Sequence, residues 1–222
     1  MLTFMILPFF PGSEAEAASR NDYVKVGLKF GSSAVASCTI KSEEGFILGT
    51  VNGRSFEDGM PLPAYDTLVA ANENGNIVIR DGDGKVLSSD LGGSGCIMPG
   101  DYEEEGTLSL DGTPYRDGIM LLANSNGTMT VINYIGLEHY VYGVLNCELN
   151  YTNPREGLKA QAVAARTFGE LNRGQHSADG FDLCASTHCQ VYKGYSDEYA
   201  ATNKAVDETA GEMIRYKGEP VS

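Results

Sequence analysis

No run of lysine or arginine occurs anywhere in the 222 residues, and the 16 basic side chains are outnumbered by 30 acidic ones, for a formal net charge of -14. Binding to duplex nucleic acid needs clustered cations that release counterions from phosphate, so a nucleic-acid partner is excluded. The acidic balance fits plain solubility and names no ligand. Long apolar runs are equally scarce. The one candidate is Met1 to Phe10, MLTFMILPFF, too short for a membrane span of roughly 20 apolar residues. It is followed by Pro11-Gly12 and the small-residue stretch Glu14-Ala-Glu-Ala-Ala-Ser19, an A-x-A-like arrangement similar to the back half of a secretory signal. The positive n-region is missing, since no Lys or Arg precedes Arg20. Residues 1–20 are therefore set apart as a signal-like leader, and the chain is placed outside the cytoplasm, secreted or in the cell envelope. Cysteines number five, so at least one has no partner within the chain.

What is present suffices for a substantial core: 42% of the residues are hydrophobic. From 21 to 112 short apolar runs such as Val24-Lys-Val-Gly-Leu28, Gly45-Phe-Ile-Leu-Gly49 and Asn76-Ile-Val-Ile79 alternate with Gly, Asp and Asn, which predicts a β-rich lobe of hairpins. Asp81-Gly-Asp-Gly84 reads as a turn, because the remaining ligands of a calcium loop are missing. A further hairpin, Gly118–Leu122 with Met129–Asn133, turns through Asn126-Gly127. The texture then becomes helical, so residues 113–222 form a second, mixed helical and β segment and the fold class is α+β. The chain stops at Pro220-Val221-Ser222 where a returning strand is due, and the segment is expected to be truncated at its C-terminus.

Three helices are predicted: Leu137–Leu149, Asn153 to about Gly174, and about Ser196–Thr209. On the first, Leu137, Val141, Val144 and Leu145 lie within about 60° of Glu148, at 100° per residue. A carboxylate in line with an apolar stripe must be neutralised, paired or placed at a cleft. Desolvation favours the protonated form of a carboxylate, which is what a general acid requires. The competing expectation is an ion pair with Lys159 or Arg166. The second helix has Asn153 and Glu156 at capping-box positions, with Pro154 in its first turn. Its alanines, Ala160, Ala162, Ala164 and Ala165, predict close packing on most sides. Lys159 and Arg166 share one face, whereas Gln161 points elsewhere. Beyond this helix, Cys184, His188 and Cys189 fall within six residues, with His176 eight upstream of Cys184. Spacing leaves open a tetrahedral zinc site, a Cys184–Cys189 disulfide and a Cys-His catalytic pair. Cys38, Cys96 and Cys147 read as buried thiols.

The run Asn133-Tyr-Ile-Gly-Leu-Glu-His-Tyr-Val-Tyr-Gly-Val-Leu-Asn-Cys-Glu148-Leu, with Gly157-Leu-Lys-Ala-Gln-Ala-Val-Ala-Ala-Arg-Thr-Phe168, closely resembles the core of the stage II sporulation protein D (SpoIID) and amidase-enhancer family. Phe181–Cys184, Cys189–Gly194 and Thr209-Ala-Gly211 extend the resemblance over roughly 115 to 222. It implies a SpoIID-type core and a peptidoglycan lytic transglycosylase, a carbon-oxygen lyase that cuts between N-acetylmuramic acid and N-acetylglucosamine and leaves 1,6-anhydro ends. Glu148 would be the catalytic acid/base, with Lys159, Gln161 and Arg166 lining the cleft or orienting it. The resemblance also implies a structural zinc held by His176, Cys184, His188 and Cys189. Peptidoglycan glycan strands would be the partner, and a cell-wall amidase the second. Two departures stand out: Leu149 replaces the usual Met, and the family continues past this C-terminus into a Ser/Gly-rich segment. The alternatives are a non-catalytic enhancer of an N-acetylmuramoyl-L-alanine amidase and a zinc-stabilised surface scaffold.

Overall fold

The computed structural model describes residues 22–104 and 106–221, so the signal-like segment 1–20 lies outside it. In chain order the strands begin β1 (Tyr23–Lys29), β2 (Ser37–Lys41), β3 (Phe46–Asn52), β4 (Ser55–Leu62), β5 (Thr67–Glu73), β6 (Asn76–Asp81), β7 (Val86–Ser88) and β8 (Gly95–Pro99). Then follow β9 (Thr107–Leu110), β10 (Thr113–Arg116), β11 (Gly118–Ala123), β12 (Met129–Gly136), and the helices α1 (Leu137–Glu148) and α2 (Arg155–Leu171). The two-residue strand β13 (Leu183–Cys184), helix α3 (Ala200–Asp207) and the small hairpin β14 (Arg215–Tyr216) and β15 (Glu219–Pro220) complete the order. The architecture is α+β.

Two larger sheets organise it. One runs β13-β1-β12-β11-β8-β3-β4, the other β10-β9-β2-β5-β6-β7. Strands of the six-stranded sheet alternate as half-buried surfaces do: Cys38 and Ile40, Leu68 and Ala70, Leu108 and Leu110 turn inward. They pack on Phe46, Leu48, Ile97, Ile119, Leu121, Met129 and Val131 of the seven-stranded sheet. At its other end the same face of that sheet, now Val24, Val26 and Ile135, receives α1 and α2. The opposite face carries Tyr23, Met98, Met120, Ile132, Tyr134 and, on β13, Cys184, and Phe181 packs against it. Strand β12 lies at the junction of these layers, and every one of its eight residues is buried.

The seven-stranded sheet draws on both sides of residue 112, because β1 pairs with β12 and β13 and β8 pairs with β11. The two segments read from the sequence thus share one sheet and one core. Hairpin β11–β12 turns with Gly127 at φ 83°, the left-handed conformation that glycine adopts without strain. Asp81 Oδ1 accepts from the backbone N–H groups of Asp83 and Lys85, so its carboxylate caps the turn at 81–84. Two helix boundaries differ from expectation. Asn153 does not cap α2; its side-chain amide donates to the carbonyl of Asn150, and Pro154 occupies the cap. The third helix is shorter than 196–209 because residues Gly194–Asp197 form a 3-10 turn before it.

Candidate functional site

Helix α1 follows β12 directly and lays Leu137, Tyr140, Val141, Val144 and Leu145 into the core. Glu148 is its last residue and is exposed. The buried stripe extrapolated from the sequence holds as far as Leu145 and does not reach Glu148. Burial therefore does not desolvate Glu148, contrary to the sequence expectation. Nor is the carboxylate paired with Lys159 or Arg166, which bind other carboxylates. Around it, Asn146 Oδ1 accepts from the Tyr151 N–H (3.0 Å), and the Cys147 thiol donates to Asp197 Oδ2 (3.1 Å). Burial, then this hydrogen bond, pushes the Cys147 thiol up to about 12, so it is a donor and no thiolate nucleophile. Leu149 closes the end of the helix against the first turn of α2, where a Cβ on Gly157 would lie 3.9 Å from its Cδ2.

Helix α2 is packed on most sides, as its alanines suggest. Arg166, expected to line the cleft or orient Glu148, does neither: its side chain has 0% exposure. Its guanidinium donates to Glu138 at 2.8 and 2.6 Å and to the carbonyls of Glu212 (3.0 Å) and Val206 (3.3 Å). It ties α1 to α2 and to the chain beyond α3 instead of facing a ligand. Lys159 is half-buried and stands 4.0 Å from both Glu156 and Glu208. Gln161 is half-buried as well.

The structure brings His176, Cys184, His188 and Cys189 together, with one ligand atom from each lying within 4.8 Å of all the others. They come from three places in the fold. Cys184 sits on β13, held by parallel pairing of Gly27 with Cys184. His176 follows the end of α2 and is pinned by its N–H to the Asp182 carbonyl, its ring stacked on Phe181 at 4.8 Å. His188 and Cys189 lie on the loop after β13, whose turn is closed by Cys189 N–H to Ser186 O. The sulfurs of Cys184 and Cys189 stand 3.5 Å apart and unbonded. His188 Nδ1 is 3.8 Å from Cys184 Sγ and 3.6 Å from Cys189 Sγ. His176 Nε2 is 3.3 Å from His188 Nδ1 and 3.6 Å from Cys189 Sγ. A tetrahedron with zinc bond lengths of about 2.0–2.3 Å has ligand-to-ligand edges of about 3.3–3.8 Å; the five distances above fall in that range and His176 to Cys184 lies within 4.8 Å, so the donors suit zinc in type and nearly so in spacing.

Electrostatics favour the same use. At Cys184 burial opposes the thiolate, yet the hydroxyl and N–H of Ser186, with Cys189 and His188, outweigh it and hold the thiol at about 6. Burial and the neighbouring Cys184 push Cys189 up to about 11, against the Cys184 N–H that favours its thiolate. A dication would relieve that conflict by stabilising both thiolates. Two supporting residues carry no signal in the sequence. Asp179 Oδ2 lies 3.4 Å from His176 Nδ1 and can orient that ring, and Ser186 Oγ lies 3.2 Å from Cys184 Sγ. Cys38 and Cys96 are buried thiols, Cys38 pushed up to about 12 by burial and then by Asp111.

Residues 125–216 match the family model described as stage II sporulation protein. An uncharacterized protein of Brachyspira hyodysenteriae is 36% identical over 122 residues, 54% of this chain and 33% of that protein. The amidase enhancer of Bacillus subtilis is 32% identical over 132 residues, 59% of this chain and 18% of that protein. The stage II sporulation protein D of the same organism is 29% identical over 132 residues, 53% of this chain and 37% of its own length. The matched region is thus well under half the length of each of these relatives.

Proposed function

We propose, from the match of residues 125–216 to the stage II sporulation protein family model and the similarity to the amidase enhancer and stage II sporulation protein D, that the protein cleaves the glycan of peptidoglycan as a lytic transglycosylase, with Glu148 as acid and base. The observation that carries this reading is the placement of Glu148. It is exposed at the end of α1, and the candidate cations Lys159 and Arg166 face other carboxylates. A carboxylate so placed is accessible to a polymer and free to give and take a proton.

In the proposed reaction the protonated Glu148 donates to the glycosidic oxygen as the bond from muramic acid C1 breaks. The C6 hydroxyl of the same sugar then closes on C1, and Glu148 carboxylate takes its proton. One carboxylate suffices, because an intramolecular hydroxyl has a very high effective concentration and no second group is needed to activate water. His176, Cys184, His188 and Cys189 would hold a zinc ion, which supplies a structural clamp: four protein ligands leave no open position for chemistry. Lys159 and Gln161, half-buried on α2, remain proposed glycan contacts. An exported, cell-envelope location follows from the substrate.

Incubating the wild type and Glu148→Gln with purified glycan strands, and reading 1,6-anhydromuramic ends by mass spectrometry, tests the proposal. Products from the wild type alone are expected, with both proteins melting together because an exposed side chain contributes within about 0.5 kcal/mol. Intact glycan binding without products from either would favour the second reading, a non-catalytic enhancer of an amidase. The similarity to the amidase enhancer speaks for that alternative.

A further inference from the structure

Two loops meet beside Glu148 through a pair of exposed aromatic rings. Tyr151 and Tyr199 stack with centroids 4.2 Å apart and planes 13° from parallel, yet keep 41% and 40% of their surfaces in solvent. Large aromatic side chains left this open are either incidental or a contact surface. The backbone that carries each ring is anchored on both sides. The Tyr151 N–H donates to Asn146 Oδ1, and the following residues are stapled by Asn150 Oδ1, which accepts from the Thr152 N–H (3.0 Å) and hydroxyl (2.8 Å). Asn153 closes the loop through its amide to the Asn150 carbonyl (2.9 Å). On the other side the Tyr199 N–H and carbonyl are both tied to Thr202 Oγ1, and the preceding Glu198 is fixed by Arg116 at 2.8 and 3.0 Å in a buried pair. Side-chain entropy and loop motion are thus largely spent before any ligand arrives, which is what a preorganised contact surface needs.

The position is equally specific. Tyr151 follows Glu148 by three residues, so its Cα is within about 11 Å of that of Glu148. Asp197, two residues before Tyr199, bonds Cys147, the residue preceding Glu148. The platform therefore lies at the same end of α1 as Glu148.

We propose that the stacked Tyr151–Tyr199 pair is a sugar-binding platform, on which a pyranose ring of the glycan lays its C–H face against the outer face of a tyrosine. The partial negative charge of an aromatic face attracts such C–H groups, and a neutral, hydroxyl-rich chain needs no cation to hold it. The inference rests on the proposed glycan-cleaving reading and assigns the residues that grip the substrate next to Glu148.

The test uses Glu148→Gln as a non-cleaving parent, into which Tyr151→Ala, Tyr199→Ala and Tyr151→Phe are introduced. Binding to denuded glycan strands is measured, with melting temperature and metal content as controls of the fold. Each alanine variant is expected to bind about three- to tenfold more weakly, and Tyr151→Phe to match the parent within about twofold. Unchanged glycan binding by the alanine variants, or no binding by the parent, overturns the platform; so does selective loss of amidase capture with glycan binding intact. The same substitutions in the active protein separate the two readings. Anhydro products with an unchanged KM in the alanine variants would sink the platform and leave the transglycosylase standing. Tyrosine-dependent glycan binding without anhydro products from the wild type would do the reverse.

Discussion

Arg166 meets Glu138 through two hydrogen bonds of 2.8 and 2.6 Å, with the guanidinium fully enclosed between α1, α2 and the chain after α3. Its other donors reach the carbonyls of Glu212 and Val206, and Glu138 also accepts from the Gly211 N–H. Removing one partner of a buried ion pair strands the other, which costs about 3–5 kcal/mol. Arg166→Ala is therefore expected to lower unfolding stability by that amount in urea titrations. A variant that keeps its stability and instead raises KM for glycan would return Arg166 to the cleft.

The four-ligand cluster leads to a prediction about metal. Protein produced with zinc present is expected to carry about one ion per chain, measured by elemental mass spectrometry. Chelation should lower its melting temperature, since metal binding to a folded site is folding free energy. Cys184→Ser and His176→Ala should each lose the ion. Recovery of metal-free protein with a Cys184–Cys189 disulfide would defeat the zinc reading.

Gly143 sits mid-helix in α1, where glycine is normally unfavourable, because the ring of Tyr192 presses on that spot and leaves no room for a Cβ. Tyr192 is buried and its hydroxyl donates to Asn133 Oδ1 at 2.7 Å, so it cannot swing aside. Gly143→Ala gains helix propensity yet is expected to destabilise by about 1–3 kcal/mol through overpacking. Thermal melts that show equal or greater stability would contradict the close approach.

Acid should act partly through Glu170. Burial there works against its charged form, but hydrogen bonds and charge from Arg173 and Arg54 prevail and lower its pKa from the ordinary 4.5. A carboxylate depressed in the folded state contributes stability that is complete above 4.5 and lost as pH falls through the folded value. Melting temperature is thus expected to drop as pH falls below about 4.5, and to drop less steeply in Glu170→Gln. Parallel pH profiles for the two proteins would rule out this contribution.

Much of this was legible in the chain itself. Short apolar runs between turn residues marked β1, β3 and β6, Asn126-Gly127 marked the β11–β12 turn, helical spacing set α1, and Pro154 with the alanine run set α2, because these patterns answer to local backbone geometry. Cys184, His188 and Cys189 stood out by spacing, which left zinc, a disulfide and a Cys-His pair open. Tertiary structure decided the rest. Period alone placed Glu148 in line with a buried stripe, but burial on α1 stops at Leu145, and only packing sets where a buried stripe ends. Arg166 looked like a cleft cation because sequence gives its face and not its partner; Glu138 lies 28 residues away. The sharing of one sheet across residue 112, the approach of His176 to the cysteines and the stacking of Tyr151 on Tyr199 are contacts between distant segments. They follow from how the chain closes on itself, which no local pattern encodes.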